Sequence, residues 1–175
     1  KGFGWSLIVH NSWATTIDKT SLETLLSQIA PAVTKYDIEY PTHQHVSALF
    51  NTDADWATCT LYNTEISPYS VRLKYTGFFA SQGTVTTPII DCGVTLDSYN
   101  EFVSDDELWG QTIVYQLCSS KDGITWSDWE TLSSGYPPAT TPLRRYVRLR
   151  ATLSTNIIYS SPYLKSLRFS YTRQP

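Results

Sequence analysis

The sequence predicts a mainly β protein, with an antiparallel β-sandwich over residues 43–175 that follows a small strand–helix–strand unit over residues 1–42. Three observations support this fold class. Apolar and polar residues alternate in seven or eight short segments of the longer part, turn-forming residues separate these segments, and the clear helical pattern lies in the first forty residues. Two packed sheets would bury the apolar faces of such strands, so we expect a sandwich.

The N-terminal unit combines two predicted strands and one predicted helix. Alternation over residues 5–10 and 36–40 indicates the strands. Between them, Thr20 and Glu23 form a capping box that begins a helix, and Pro31 ends it. The apolar face of this helix has the expected spacing: Leu22, Leu25, Leu26 and Ile29. So small a unit buries little surface, so we expect it to lean on the sandwich or on a neighbouring subunit.

The sandwich segments show which side chains face the core. Val71, Leu73 and Tyr75 alternate with polar residues and are predicted to point inward. The run over residues 85–90 contains Pro88, which has no backbone N–H and therefore predicts an edge or a bulge. Residues 41–45 are the predicted linker to the N-terminal unit.

Two later segments add a turn and a central strand. Asp122 and Gly123 tolerate positive φ and predict a tight hairpin turn. Residues 145–153 place four apolar side chains on one face: Val147, Leu149, Ala151 and Leu153. Arg148 and Arg150 are expected on the opposite face of that strand.

Four segments between residues 75 and 171 carry recognisable motifs. Ser119–Trp129 contains a Ser-x-Asp-Gly-x-x-Trp hairpin, and Arg145–Arg150 contains an Arg-Tyr-Val-Arg-Leu strand. Ser161–Leu164 precedes a final strand, and residues 76–93 have the pattern of an opening strand. Together, over roughly residues 75–171, these segments resemble the galactose-binding-like (discoidin-like) jelly-roll domains. The resemblance implies a jelly-roll sandwich whose variable loops bind sugars, lipids or proteins.

In the N-terminal unit, the helical segment Leu22–Ala32 is followed by Val33 and then by the strand Tyr36–Tyr40. This arrangement resembles an element of bacteriophage tail and baseplate proteins, in which a helix ending in Pro-Ala-His precedes a strand, with Val33 here in place of the histidine. This resemblance implies a virion tail component that is assembled in the host cytoplasm and acts outside the cell. Its implied partners are other tail subunits and a host cell-surface saccharide, and a homo-oligomer would be possible.

Four aromatic residues in predicted loops are the candidate ligand-binding residues: Trp109, Tyr136, Tyr159 and Tyr163. Loops carry binding residues more often than strands do, and an exposed ring can stack on the C–H face of a sugar. Arg148 and Arg150 are expected to add hydrogen bonds. We therefore predict a non-catalytic carbohydrate-binding module. The alternatives are a structural domain that docks to virion subunits, or an accessory carbohydrate-binding domain of a glycoside-active enzyme.

The net charge and the cysteines indicate which partners and which redox environment to expect. The 175 residues carry a net charge of −3, which disfavours nonspecific binding to nucleic acid, and no apolar run is long enough to predict insertion into a membrane. Cys59, Cys92 and Cys118 are odd in number and lack metal-ligand spacing, so we predict buried free thiols, as in a protein assembled in a reducing cytosol. Since Lys1 is not a methionine, we expect a fragment of a longer chain.

Metal binding has one weak candidate and no cofactor is predicted. The acidic stretch from Asp97 to Glu107 is predicted to be a loop that faces the basic strands after Glu130 or stays solvated. The functional alternatives are that the basic strands form an anion-binding face for an acidic sugar or a phosphate, or that the acidic loop holds a structural Ca²⁺. His43 and His45 lack an evident third ligand. They are therefore expected to be solvated or to make local hydrogen bonds.

Enzymatic activity is not predicted. Two close acidic pairs, Asp53 with Asp55 and Asp105 with Glu107, have the residue types that glycoside hydrolysis requires. Close acidic pairs within one loop are common, and no other catalytic motif accompanies them.

Overall fold

The computed structural model describes residues 43–94 and 96–174, which fall in the compact unit His45–Pro175 apart from the first two. They form two antiparallel sheets packed face to face, so the predicted mainly β sandwich is confirmed. The predicted strand–helix–strand unit, and with it the segment that resembles a phage tail element, lies outside the described residues.

Eleven strands and one short helix make up the described part of the chain. The helix α1 is Asp53–Ala57. The strands in chain order are β1 Gln44–Phe50, β2 Thr60–Tyr62, β3 Thr64–Ser67, β4 Ser70–Leu73, β5 Gln82–Thr86, β6 Ile90–Asp91, β7 Leu96–Glu107, β8 Thr112–Ser120, β9 Glu130–Leu132, β10 Tyr146–Ser154 and β11 Tyr163–Arg173.

Sheet A is organised around β11. Strand β7 pairs with β11 along its whole length, from Leu96 opposite Arg173 to Glu107 opposite Tyr163. On the other side of β11 lie β4 and β1, and β3 pairs with β4. Because β7 ends where β11 begins, residues that follow β7 and precede β11 come together at one end of this sheet.

Sheet B is organised around β10. All nine residues of β10 pair with β8, which pairs in turn with β9. On its other side β10 pairs with β5 and then β6, and β2 pairs with β5. The break between β5 and β6 contains Pro88, where Thr87 exchanges hydrogen bonds of 3.0 Å with Leu149 through its backbone N–H and its hydroxyl. The part of the run in β5 is therefore not at an edge of the sheet, and Pro88 instead lies in an irregular break that separates β5 from β6.

The core lies between the two sheets and follows the predicted alternation in most strands. Val71 and Leu73 are fully buried from sheet A. The four apolar residues of β10 are buried from sheet B: Val147, Leu149, Ala151 and Leu153. The prediction for Tyr75 is wrong: this residue is half exposed because β4 ends at Leu73 and Tyr75 lies in the following loop.

The acidic stretch from Asp97 to Glu107 is part of β7 and not a loop. Two of its carboxylates pair with cations of the basic strand β11, as one of the sequence-based alternatives expected. Glu101 pairs with Arg168 at 3.1 Å, and Glu107 pairs with Lys165. Cross-strand pairs of opposite charge favour this register, although exposed pairs contribute little to stability.

Candidate functional site

An aromatic groove lies on sheet A where β7 ends and β11 begins. It consists of two adjoining cavities of about 400 and 320 Å³. Trp109, Tyr159 and Phe79 line the larger cavity, and Tyr69 and Lys165 line the smaller one. Glu107 and Tyr163 line both cavities. We call the two cavities together the aromatic groove.

A tight turn keeps the Trp109 side chain exposed to solvent. The turn Leu108–Gln111 crosses from β7 in sheet A to β8 in sheet B, and the Gln111 N–H donates to the Leu108 carbonyl at 2.7 Å. Trp109 and Gly110 both have positive φ, 49° and 78°, as a type I′ turn requires. A tryptophan is costly there because its Cβ crowds the backbone, yet its side chain remains 70% exposed.

The loop that carries Tyr159 is fixed to its surroundings by backbone hydrogen bonds. Buried Gln111 accepts from the Asn156 N–H at 3.2 Å, which joins this loop to the turn of Trp109. The Phe79 N–H donates to the Ile158 carbonyl at 2.7 Å. The rings of the larger cavity are therefore positioned before any ligand arrives, which reduces the entropy lost on binding.

Tyr69 projects from the β3–β4 hairpin at the smaller cavity. Ser67 pairs with Ser70, so Pro68 and Tyr69 form a two-residue turn, and Tyr69 has the positive φ, 55°, that a type II turn requires at its third residue. The Tyr69 N–H donates to a carboxylate oxygen of Asp53 at 2.9 Å. The side chain is 76% exposed.

Charged groups of the groove are paired with one another. The Glu107 carboxylate accepts a hydrogen bond from the Lys165 ammonium, which holds the pKa of Glu107 below its usual range. The same contact with Glu107 raises the pKa of Lys165. Opposite Tyr163 on the neighbouring strand, Arg72 pairs with Glu65 at 2.8 Å. The arrangement gives the groove hydrogen-bonding groups without excess charge at neutral pH.

The structure brings together three of the four predicted aromatic residues, namely Trp109, Tyr159 and Tyr163. Tyr136 is 67% exposed but lies elsewhere, because its backbone bridges to Phe102 in the middle of β7. Tyr69 was missed. The Ser67–Ser70 turn, with proline followed by an aromatic residue, is the sequence signal that would have found it.

Arg148 and Arg150 also lie outside the aromatic groove. They are on the outer face of sheet B, as predicted, but each stacks on a tryptophan of the segment after β8. The guanidinium carbon of Arg148 lies 4.6 Å from the Trp126 ring centre, and that of Arg150 lies 4.2 Å from Trp129. These contacts anchor the segment to the sheet.

Other candidate residues have structural partners. Asp55 accepts from the Thr52 N–H at 3.0 Å and completes the capping box of α1, which lowers its pKa through hydrogen bonds led by the Thr52 hydroxyl. His45 contacts the Thr172 hydroxyl at 3.0 Å. Asp53 supports the turn of Tyr69, so neither member of the Asp53–Asp55 pair is presented to the groove.

Within residues 43–94 and 96–174, no three His, Cys, Asp or Glu side chains are placed to hold one metal ion. The carboxylates of the stretch Asp97–Glu107 do not gather around one point because the stretch is a strand, in which alternate side chains point to opposite faces. Asp106 accepts a 2.5 Å hydrogen bond from the Tyr115 hydroxyl, while Glu107 faces the groove.

The cysteines are free, as predicted. Cys92 and Cys118 are buried, and Cys59 is half-buried. Burial raises the pKa of Cys59 and Cys118 to about 11 and that of Cys92 to about 12. The thiols are therefore protonated at neutral pH and poorly nucleophilic.

Comparison with protein families and with curated proteins adds no relative: no family model matches the chain, and no curated protein does. In the described part of the chain, no helix has the length and apolar character needed to span a bilayer.

Proposed function

We propose that this sandwich is a non-catalytic carbohydrate-binding module and that the aromatic groove is its binding site. One observation carries the proposal. Trp109 lies in the turn between β7 and β8, Tyr159 in the loop before β11, and Tyr163 at the start of β11. All three line one cavity of about 400 Å³. Trp109 and Tyr159 leave 70% and 74% of their surfaces in water.

A sugar suits such a cavity because its two kinds of surface match the two kinds of wall. The C–H face of a pyranose ring is apolar and packs on an aromatic ring, which removes both surfaces from water. The hydroxyl groups at the ring edge need hydrogen-bond partners, which Glu107 offers in this cavity and Lys165 offers in the adjoining one. Concave sites with apolar walls and a few polar groups are typical of small-ligand binding.

The biological setting that we propose is attachment of a phage tail or baseplate to a host cell-surface saccharide. This step rests on the resemblances described for residues 22–40 and 75–171. A symmetric tail would present several copies of the groove at once, so weak binding at each copy would add up to stable attachment.

A second candidate function is docking to another virion subunit. Apolar side chains near the aromatic groove favour it, since Phe78, Ile157 and Ile158 are each about half exposed. Clustered exposed apolar side chains are typical of protein interfaces. This candidate predicts self-association or complex formation that is lost on Ile158→Asp, with no saccharide bound.

A glycan array tests the first candidate, followed by titration calorimetry with each saccharide that the chain retains. We expect Trp109→Ala and Tyr159→Ala each to weaken binding at least about tenfold, or about 1.4 kcal/mol. Tyr136→Ala is the matched control, because Tyr136 is equally exposed but lies outside the groove. Absence of any retained saccharide, or equal losses in the control, would refute the proposal.

A further inference from the structure

We propose that the aromatic groove has two subsites and binds an extended, uncharged saccharide chain of more than one sugar unit. This inference rests on the proposed function. The first subsite is the larger cavity, with Trp109 and Tyr159. The second is the smaller cavity, with Tyr69 and Lys165, and Tyr163 separates the two.

The two cavities share part of their lining. Both include Glu107 and Tyr163, which lie opposite each other on β7 and β11. A chain lying over Tyr163 would therefore place neighbouring units in the two cavities. A single sugar would fill one cavity and leave the other to water.

An aromatic residue with an unfavourable backbone conformation lines each of the two cavities. In residues 43–94 and 96–174 three non-glycine residues have positive φ, namely Asn63, Tyr69 and Trp109. Asparagine tolerates this conformation, but bulky aromatic residues adopt it at a cost. The two strained aromatic residues are the ones that line opposite cavities of the groove, and each is at least 70% exposed. Backbone strain at a residue whose ring remains exposed indicates that the ring has a function. This applies to Tyr69 as well as to Trp109, so we assign Tyr69 to the site.

The cations beside the groove are already paired with carboxylates. The two cations beside the groove, Lys165 and Arg72, are bound to Glu107 and Glu65. Exposed Asp105 lies near Lys165 as well and adds negative potential. An acidic sugar would have to displace these carboxylates from their cations and would meet repulsion from Asp105. The groove therefore favours a neutral chain.

The experiment measures affinity against chain length and charge. The probes are cello-, galacto- and chito-oligosaccharides from the monosaccharide to the hexasaccharide, with oligogalacturonides of the same lengths as acidic counterparts. The variants are Tyr69→Asn, which removes the ring but suits the positive φ, and Tyr62→Ala, an exposed tyrosine of sheet B outside both cavities.

We expect affinity for one neutral series to rise at least about tenfold with length. Tyr69→Asn should abolish this rise and leave binding of the monosaccharide unchanged, whereas Tyr62→Ala should alter neither. If affinity does not depend on length, or Tyr69→Asn keeps the rise, the second subsite is refuted while the first stands. Tighter binding of oligogalacturonides than of the neutral series would refute the uncharged ligand. A wild-type chain that retains no saccharide on the array would instead refute the proposed function itself.

Discussion

The guanidinium of Arg150 stacks on the indole of Trp129, with 4.2 Å between its carbon and the ring centre. The same guanidinium donates two hydrogen bonds, of 3.1 and 2.7 Å, to the side-chain oxygen of Gln116. Arg150 therefore joins three segments, because Gln116 lies on β8, Arg150 on β10 and Trp129 in the connection to β9. This geometry assigns Arg150 to stability and not to ligand binding.

Replacing Trp129 with alanine should lower the free energy of unfolding by about 2 kcal/mol. The estimate combines a cation–π contact of about 0.5–1 kcal/mol with the loss of a half-buried ring. Urea denaturation would measure the change, and calorimetry with the saccharide identified on the array should show unchanged affinity. A large loss of affinity in a fully folded variant would return Arg150 to the binding site.

Strand periodicity was sufficient to predict the sandwich and the two faces of β10. It placed Val147 and Leu149 inside and Arg148 and Arg150 outside, because successive side chains of a strand must point to opposite faces. It did not reveal what the outward arginines contact. Their tryptophan partners lie about twenty residues earlier in the chain and reach them only because β8 pairs with β10.

The candidate site was predictable in part for a similar reason. Trp109 and Tyr159 could be chosen because turn residues surround them, but Tyr136 satisfied the same criterion and lies elsewhere. The aromatic side chains of the groove come together because β7 ends beside the start of β11, and sequence patterns do not specify that pairing. Tyr69 was missed because the strands on either side have only four residues each, too few for clear alternation to draw attention to the Pro68–Tyr69 turn signal between them.

Asp122 lies in the connection 121–125, which is closed by the bridge between Ser120 and Trp126 and is longer than the tight hairpin turn predicted from the sequence. It provides a pH-dependent test of that connection. Its carboxylate accepts from the backbone N–H groups of Thr125 and Ile124, both at 2.8 Å, and from the Ser120 hydroxyl, which lowers its pKa from 3.8 to about 2. A folded-state pKa below the unfolded value stabilises the protein above about pH 3.8. That stabilisation is lost as the pH falls towards about 2.

Asp122→Asn should therefore be less stable than the wild type at neutral pH, and the difference should shrink as the pH falls through that window. Thermal unfolding across an acid pH series would measure it. Asp128→Asn is the control, since Asp128 is an exposed aspartate just after the connection 121–125. A difference that is constant over the whole series would contradict the role of the Asp122 charge.

Gly83 permits a close approach between β5 and the residues before β3. A Cβ added at Gly83 would lie 2.5 Å from the carbonyl oxygen of Asn63, and a backbone atom cannot move aside as a flexible side chain can. Gly83→Ala should therefore destabilise the fold by about 2–3 kcal/mol, in the range of overpacked cores. Chemical denaturation would measure the loss, and an unchanged midpoint would show that β5 does not approach Asn63 this closely.

Trp109 should show opposite effects on stability and on binding. Trp109→Asn relieves the cost of a bulky residue at positive φ and is expected to raise the free energy of unfolding by about 1 kcal/mol, while it weakens saccharide binding at least about tenfold. Tyr159→Asn is the matched control, because Tyr159 lines the same cavity without positive φ. It should lose binding without gaining stability. Denaturation and calorimetry on the same preparations measure both effects. If Trp109→Asn were instead destabilised, the turn would need the tryptophan for folding, and the argument that its strain is kept for a ligand would fail.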